Sequence, residues 1–181
     1  MANRYVALMR GINVGRARRV AMADLRALVE DLGFGEVRTL LNSGNVVFSG
    51  PDAAAADIAA RIEDALAARL GVVARVTVLS AAELAEAVAG NALAATTDNP
   101  SRQLVAFLAD PADRPRLEPL EKRDWAREAL VLGARVAYLW CPDGVIASRL
   151  AKAVDGALGD AVTSRNWATV LKLDALIVSA D

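Results

Sequence analysis

Arginine is concentrated in one short stretch near the start of the chain. Four arginines lie between residues 10 and 19, and no aspartate or glutamate occurs between residues 4 and 24. Guanidinium binds phosphate through two parallel hydrogen bonds, and glycines leave backbone N–H groups accessible to an anion. The pattern predicts an anion-binding basic loop over residues 10–21. Its candidate ligand-binding residues are Arg10, Gly11, Asn13, Gly15, Arg16, Arg18 and Arg19.

Two other interpretations of the basic loop stay open. It could be a solvated loop whose charge maintains solubility, or it could pair with the acidic residues Glu30 and Asp31. Its pattern differs from the two common nucleotide-binding loops, because neither Gly-Lys-Ser/Thr nor a third glycine follows. The sequence of the basic loop therefore predicts anion binding, but it does not indicate a known nucleotide-binding fold.

Two further polar stretches contain candidate ligand-binding residues. Ser43 and Asn45 could act as a nucleophile and an amide clamp, or they could belong to a tight hairpin turn, because Asn and Gly tolerate positive φ. Arg165 and Asn166 lie at the N-terminus of a predicted helix, and a helix N-terminus attracts anions. The alternative for this second stretch is that Ser164 or Asn166 caps the helix.

The composition removes several classes of chemistry. The chain has no histidine, which excludes Ser-His and Cys-His catalysis and removes both the commonest general base near neutral pH and the usual zinc ligand. The aspartates have no spacing typical of a metal site, so neither a metal nor a cofactor is predicted. The formal net charge of −1 gives no overall attraction to nucleic acid or membrane. Any electrostatic partner must therefore bind a local patch.

Cysteine content and hydropathy bear on the compartment. The single cysteine, Cys141, excludes an internal disulfide and fits a reducing compartment. No apolar run approaches the ~18 residues needed to cross a bilayer, and a strand is predicted within the first few residues, where a signal peptide would need its apolar core. These features predict a cytoplasmic protein without a membrane partner.

The elements that must position these candidates follow from apolar periodicity and from capping and turn residues. Strands are predicted near 4–9, 37–41, 46–48, 72–78, 103–109, 128–132, 135–141 and 161–163. Helices are predicted near 22–32, 51–70, 80–90, 111–122, 145–158 and from 166 onward. Gly33 and Gly71 are expected to end the first two helices, and Ser80 with Glu83 has the spacing of a capping box at the start of the third. The helix near 145–158 is predicted from a four-residue spacing of Ile146, Leu150, Val154 and Leu158. Residues 91–101 lack periodicity and are the best linker candidate.

The order of these elements is βαββαβ followed by one helix, and it occurs twice. This order predicts an α+β fold of two ferredoxin-like βαββαβ halves, each followed by an extra helix and packed together. The expected domains are residues 1–95, with the basic loop, and residues 96–181, with the terminal helix. Residues 4–9 are apolar on both faces, so we expect them to form a central strand covered on both sides, by the second half or by a dimer partner.

The expected strand directions also bear on the hairpin at residues 42–45. We expect the first and third strands of the half to run parallel, so this hairpin should lie opposite the end of the strand that leads into the basic loop. That arrangement favours a structural turn over a contribution of Ser43 and Asn45 to the same site. The basic loop could still fold back to the hairpin, since about ten residues reach ~33 Å when extended.

Several stretches together resemble one bacterial family, named domain of unknown function 1697. They are residues 5–15, 22–26, 32–34, 37–39, 43–48, 142–144, 148–150, 165–167 and 169–173. The resemblance implies an α+β fold of ferredoxin-like halves and no established activity. This chain has Asn42 where the family usually has glutamine, and Ala168 where a polar residue is common.

Three classes of function remain open at this point. The first is a non-catalytic module that binds a small anionic ligand or nucleic acid, such as a nucleotide or RNA, through the basic loop. The second is an enzyme that stabilises charge on a phosphorylated small molecule, with Asp, Glu or Lys as its only available bases. The third is a homo-oligomeric interaction protein, for example a homodimer formed through a sheet face.

Overall fold

The computed structural model describes residues 2–179 of the chain. The chain divides into two compact units. The first consists of Met1–Ala85 and Leu173–Asp181, and the second consists of Glu86–Lys172. The predicted domain boundary near residue 95 stays a prediction. The elements that begin in the first unit are β1 (Asn3–Met9), α1 (Met22–Asp31), β2 (Gly35–Leu40), β3 (Asn45–Gly50), α2 (Ala55–Leu70), β4 (Val76–Ser80) and α3 (Ala81–Ala89). Those that begin in the second unit are β5 (Gln103–Leu108), α4 (Glu118–Glu121), β6 (Ala129–Leu132), β7 (Val136–Trp140), α5 (Arg149–Leu158), β8 (Val162–Asn166) and α6 (Trp167–Val178).

Each unit contains one four-stranded antiparallel sheet with ferredoxin-like strand order. The orders are β2-β3-β1-β4 and β6-β7-β5-β8, so the first strand of each βαββαβ set lies inside its sheet. A helix, α3 or α6, follows the last strand of each set. The predicted fold class of two ferredoxin-like halves, each followed by a helix, is confirmed.

The strand that precedes the basic loop is central and buried on both faces. β1 pairs antiparallel with β3 on one side and with β4 on the other. Its central position is the one that the sequence predicted. Tyr5, Ala7 and Met9 belong to the core cluster formed with α1 and α2, while Val6 and Leu8 on the opposite face are 0% and 1% exposed. A central strand buried on both faces holds the start of the basic loop in a fixed position.

Several predicted helix ends and starts are confirmed at residue level. Gly33 follows α1 with φ +89°, and Gly71 ends α2 with φ +64°, the left-handed conformation in which glycine is favoured. The capping box before α3 is formed reciprocally. Ser80 N–H donates to the Glu83 carboxylate at 2.8 Å, and Glu83 N–H donates to Ser80 Oγ at 3.2 Å.

The helix predicted from residue 145 begins later than expected. Residues 145–148 form a turn, and α5 begins at Arg149 with the Ser148 hydroxyl accepting from Ala151 N–H at 2.9 Å. The four-residue spacing of Ile146, Leu150, Val154 and Leu158 predicts one apolar stripe on this helix, but Ile146 lies before the helix and its side chain is 93% exposed. Leu150, Val154 and Leu158, the rest of that stripe, are buried.

The segment predicted as a linker is fastened to the second sheet. Gln103, fully buried in β5, accepts a hydrogen bond from Asn91 Nδ2 and donates to the Leu93 carbonyl and the Thr97 hydroxyl. Asn91 Oδ1 accepts from Leu93 N–H at 3.0 Å. Residues 91–97 have no regular secondary structure. Their polar groups are nevertheless held by hydrogen bonds to Gln103 in a central strand.

The chain's single cysteine lies in the core of the second unit. Cys141 is 0% exposed and packs in the cluster that contains Leu139 and Leu150. Burial raises the pKa of the Cys141 thiol, a hydrogen bond with Ser148 acts in the opposite direction, and the charge of Glu128 raises it further. The thiol is therefore protonated and inaccessible in the folded chain.

In the described residues, no helix is long and apolar enough to cross a membrane.

Tyr138 provides a test of stability at alkaline pH. Its hydroxyl donates to the Ala87 carbonyl at 2.6 Å, and burial, with a smaller effect of Glu86, raises the pKa of Tyr138 to about 12 from an unfolded value of about 10. The folded state favours the neutral phenol, so this contribution to stability is complete below pH ~10 and is lost as pH rises toward 12. We expect Tyr138→Phe to lower the free energy of unfolding by about 1 kcal/mol at neutral pH. The difference between wild type and variant should shrink between pH 10 and 12 in denaturant titrations, and a constant difference would contradict this account.

Candidate functional site

The basic loop has an unusual backbone. Gly11, Asn13, Gly15 and Arg18 have φ values of +66°, +56°, +64° and +52°. Glycine adopts this region freely and asparagine tolerates it, whereas arginine does so at a cost. Three of the four positive-φ positions thus carry residue types suited to them, which is why this sequence forms a tightly curved loop.

Asn13 closes the loop. Its N–H donates to the Arg18 carbonyl at 3.0 Å, and its side-chain oxygen accepts from Val20 N–H at 2.8 Å. Its amide Nδ2 donates to the carbonyls of Val20 and Asn42, both at 2.8 Å. Both amide hydrogens are used within the protein, so the observed role of Asn13 is to hold residues 13–20 in one conformation.

The hairpin of residues 41–44 lies beside the basic loop, which corrects the expected geometry. β1 and β3 run antiparallel, with Leu8 opposite Asn45, and Met9 N–H donates to the Gly44 carbonyl at 2.9 Å. The expectation that these two strands run parallel was wrong, because the helix between β1 and β2 brings β2 back in the direction of β1 and the hairpin then reverses the chain. The hairpin and the basic loop therefore share one end of the sheet.

Glycine is required at position 44 by packing as well as by conformation. Gly44 has φ +84°, and a Cβ atom there would lie 2.5 Å from Ile12 Cδ1 and 2.8 Å from Met9 Cβ. Ile12, in the basic loop, is 1% exposed. The close approach of Gly44 allows this isoleucine to pack under the hairpin, so the loop is held by an apolar contact as well as by the bonds of Asn13.

The polar candidates of the hairpin bond to one another. Asn45 is fully buried, and its Nδ2 donates to the Leu40 carbonyl at 2.7 Å and to Ser43 Oγ at 2.9 Å. Ser43 is exposed. These contacts account for an Asn-Ser-Gly-Asn turn without invoking a nucleophile.

Three of the loop's arginines extend into solvent. Arg16, Arg18 and Arg19 are exposed, and within residues 2–179 their side chains form no ion pair. Arg10 is half-buried and its N–H donates to the Arg75 carbonyl at 2.8 Å. Other arginines of the same unit have carboxylate partners: Arg26 with Glu30, Arg69 with Asp31 and Arg75 with Glu63. The described carboxylates of Glu30 and Asp31, suggested as partners of the loop, are thus bonded to other arginines.

An open depression lies between the loop and the hairpin. It has a volume of about 260 Å³ and is lined by Asn13, Arg19, Val20, Ala21 and Asn42. Ala21 occupies the N-cap position of α1 and supplies no side-chain cap to the helix. The first N–H groups of a helix lack intrahelical acceptors and carry partial positive charge. A cationic side chain and a helix N-terminus therefore adjoin one concave surface.

The candidates Arg165 and Asn166 belong to the second unit, where both have protein partners. Asn166 Oδ1 accepts from Thr169 N–H at 2.9 Å and so caps the start of α6. Arg165 is 9% exposed and donates to the Ser164 carbonyl at 2.8 Å. Burial lowers the pKa of the Arg165 guanidinium to about 10.

Among the described residues, no group of three or more Cys, Asp and Glu side chains could hold a metal ion.

The fold and this loop define an α+β protein of two ferredoxin-like units, the first of which presents a basic loop at one end of its sheet. The chain belongs to the family described as Protein of unknown function (DUF1697), whose profile matches residues 2–138. The stretches near 142–173 that also carried the resemblance lie beyond the matched part.

The whole chain has a structural counterpart. It is similar to a solved structure described as conserved bacterial protein SP0830 from Streptococcus pneumoniae, with a TM-score of 0.80 and 24% sequence identity, covering 98% of this chain and 99% of the other. This likeness shows the fold. No curated protein matches the sequence.

Proposed function

We propose that this protein is a non-catalytic module that binds a phosphate-bearing ligand, such as a nucleotide or RNA, through the basic loop. One observation carries the proposal. Arg16, Arg18 and Arg19 are exposed on one short loop and, within the described part of the chain, form no ion pair. Elsewhere in the same unit, Arg26 and Arg69 do have carboxylate partners.

The fixed conformation of the basic loop supports ligand binding. Asn13 bonds to Arg18, Val20 and Asn42, and Ile12 is packed beneath Gly44. A loop already held in one conformation loses little conformational entropy when a ligand binds. The cationic groups would act together with the N-terminus of α1, where an anion is favoured by the helix dipole.

The same side chains favour binding over catalysis. Arginine remains protonated in proteins, so it donates hydrogen bonds and cannot act as a general base. Arg16, Arg18 and Arg19 can therefore orient a phosphate and neutralise its charge, which is the chemistry of a binding site.

The test compares phosphate with chloride at equal ionic strength. At ten times its Kd, phosphate should stabilise the protein by about 1.4 kcal/mol, a rise in melting temperature of roughly 3–6 °C. Arg16→Ala/Arg18→Ala should lose this rise and keep the melting temperature of the ligand-free wild type within about 1–2 °C, as for ordinary surface sites.

A charge-matched control separates the site from the overall charge. Arg26→Ala/Arg69→Ala also removes two positive charges from the first unit, but from arginines that are exposed and paired with carboxylates. This variant should keep the full phosphate effect. Equal melting curves in phosphate and chloride for the wild type, or an equal loss in both double variants, would contradict the proposal.

A further inference from the structure

Exposed aliphatic side chains lie on all three loops at the end of the first sheet that carries the arginines. Met9 lies opposite Val76 and Leu8 opposite Asn45, so residues 10–21, 41–44 and 71–75 meet at this end of the sheet, here termed the loop end. Val14 is 71% exposed, Leu41 48% and Val73 76%. Each of the three loops therefore presents one large apolar side chain to solvent.

These side chains are held by an ordered backbone. Val73 lies between the buried residues Val72 and Ala74, and Arg75, next along, accepts a hydrogen bond from Arg10 N–H. Leu41 has φ +58°, a conformation that is costly for a leucine and natural for glycine or asparagine. Neither the turn nor the core requires leucine there, so its exposed side chain calls for an explanation outside the fold.

The chemistry of the loop end favours lipid over the bases of a nucleic acid. Residues 10–21, 41–44 and 71–75 contain no aromatic side chain on which a base could stack. The depression of about 260 Å³ is smaller than the pockets that usually enclose a small-molecule ligand. Aliphatic side chains beside arginines are the combination that binds an anionic bilayer surface, with apolar groups entering the acyl boundary and guanidinium groups contacting the headgroup phosphates.

We infer that the loop end docks on a bilayer surface containing anionic phospholipids. This inference rests on the proposed function, since it names the lipid headgroup as the source of the phosphate. Val14, Leu41 and Val73 insert at the level of the acyl boundary, and Arg16, Arg18 and Arg19 bind the headgroups. The expectation of no membrane partner came from the lack of an apolar run long enough to cross a bilayer and from the overall net charge of −1, and neither describes this local surface.

The experiment measures cosedimentation of the full chain with vesicles. Vesicles of phosphatidylglycerol and phosphatidylcholine in equal parts should bind the protein, and more weakly as salt rises, whereas vesicles of phosphatidylcholine alone should not. Val14→Ser/Val73→Ser should weaken the partition coefficient about tenfold or more, because only apolar insertion is removed. Its phosphate-dependent rise in melting temperature should be unchanged, which also establishes that the variant is folded.

A matched control tests whether any exposed aliphatic side chain would serve. Ile146, in the second unit, is 93% exposed, and Ile146→Ser should bind the mixed vesicles as the wild type does. Vesicle binding unchanged by Val14→Ser/Val73→Ser, or weakened equally by Ile146→Ser, overturns the inference.

Failure of the inference is distinguishable from failure of the proposed function. If phosphate stabilises the protein through the basic loop and mixed vesicles do not bind, the lipid surface is excluded and the proposed function stands. If phosphate, RNA and vesicles are all without effect, both are overturned.

Discussion

Gly44→Ala is expected to lower the free energy of unfolding by roughly 2–5 kcal/mol. The new Cβ would lie 2.5 Å from Ile12 Cδ1 and 2.8 Å from Met9 Cβ, and the position has φ +84°. Rotation of the isoleucine can relieve the first contact, but Met9 Cβ is fixed by its strand. Positive φ costs a non-glycine residue about 1–2 kcal/mol, and overpacking adds about 1–3 kcal/mol. Urea unfolding of wild type and variant measures the difference.

The glycine at position 144 separates conformational strain from steric overlap. Gly144 also has positive φ, +95°, but a Cβ there would meet nothing within 4 Å. Gly144→Ala should therefore cost only the conformational part, about 1–2 kcal/mol. If both substitutions cost the same, the packing of Ile12 beneath the hairpin is not what fixes glycine at position 44.

Replacement of Gln103 by leucine should lower the free energy of unfolding by about 1–3 kcal/mol. Its amide is fully buried, and Asn91 Nδ2 donates to it. Among the described residues, no buried side-chain nitrogen or oxygen lacks a hydrogen-bond partner. Leucine would remove the acceptor of Asn91 Nδ2, and a buried polar group without its partner costs about 1–3 kcal/mol. Chemical denaturation again provides the measurement.

A double-mutant cycle tests this interpretation. Asn91→Leu should also be destabilising, since it removes the partner of Gln103 Oε1. Asn91→Leu/Gln103→Leu should cost less than the two single changes together, because neither residue then retains an unpaired buried amide. Strict additivity would show that the pair is not coupled.

Most of the fold could be predicted from short-range patterns. The two-sided apolar character of residues 4–9 identified a central strand, and the Ser80–Glu83 spacing identified a helix start. These signals are local, because each depends on side chains within a turn or a strand of one another. The βαββαβ order then restricted the topology.

The errors have three separate causes. Ile146 continues a four-residue spacing, but Ser148 captures the N–H of Ala151 and starts the helix later. The hydrogen bonds of Gln103 to Asn91 and Thr97 could not be predicted. An aperiodic polar segment has the same sequence pattern whether it is a flexible linker or is hydrogen-bonded to a strand. Strand direction was wrong for β1 and β3, although the predicted βαββ order with a tight hairpin already implied that they run antiparallel.

The candidate site was only partly accessible from the sequence. The clustering of arginines identified the basic loop, but Asn13 has its anchoring role through three bonds within the loop and one to Asn42 in the hairpin. The one available signal was its residue type, since asparagine tolerates positive φ and occurs here between two glycines. Val73 alternates with the buried Val72 and Ala74, so the strand period places it on the opposite face. Leu41 alternates in the sequence with Val37 and Thr39, and this pattern predicts a buried side chain, whereas the structure exposes it.

Because Cys141 is buried, the rate at which its thiol is labelled reports how often the second unit opens. A thiol reagent reacts with the thiolate, and this thiol is both 0% exposed and shifted toward its protonated form. Labelling must therefore wait for a fluctuation that exposes the core of the second unit, and with a single cysteine each modified molecule records one such event. The kinetics of thiol exchange thus measure the dynamics of one ferredoxin-like unit without an engineered probe.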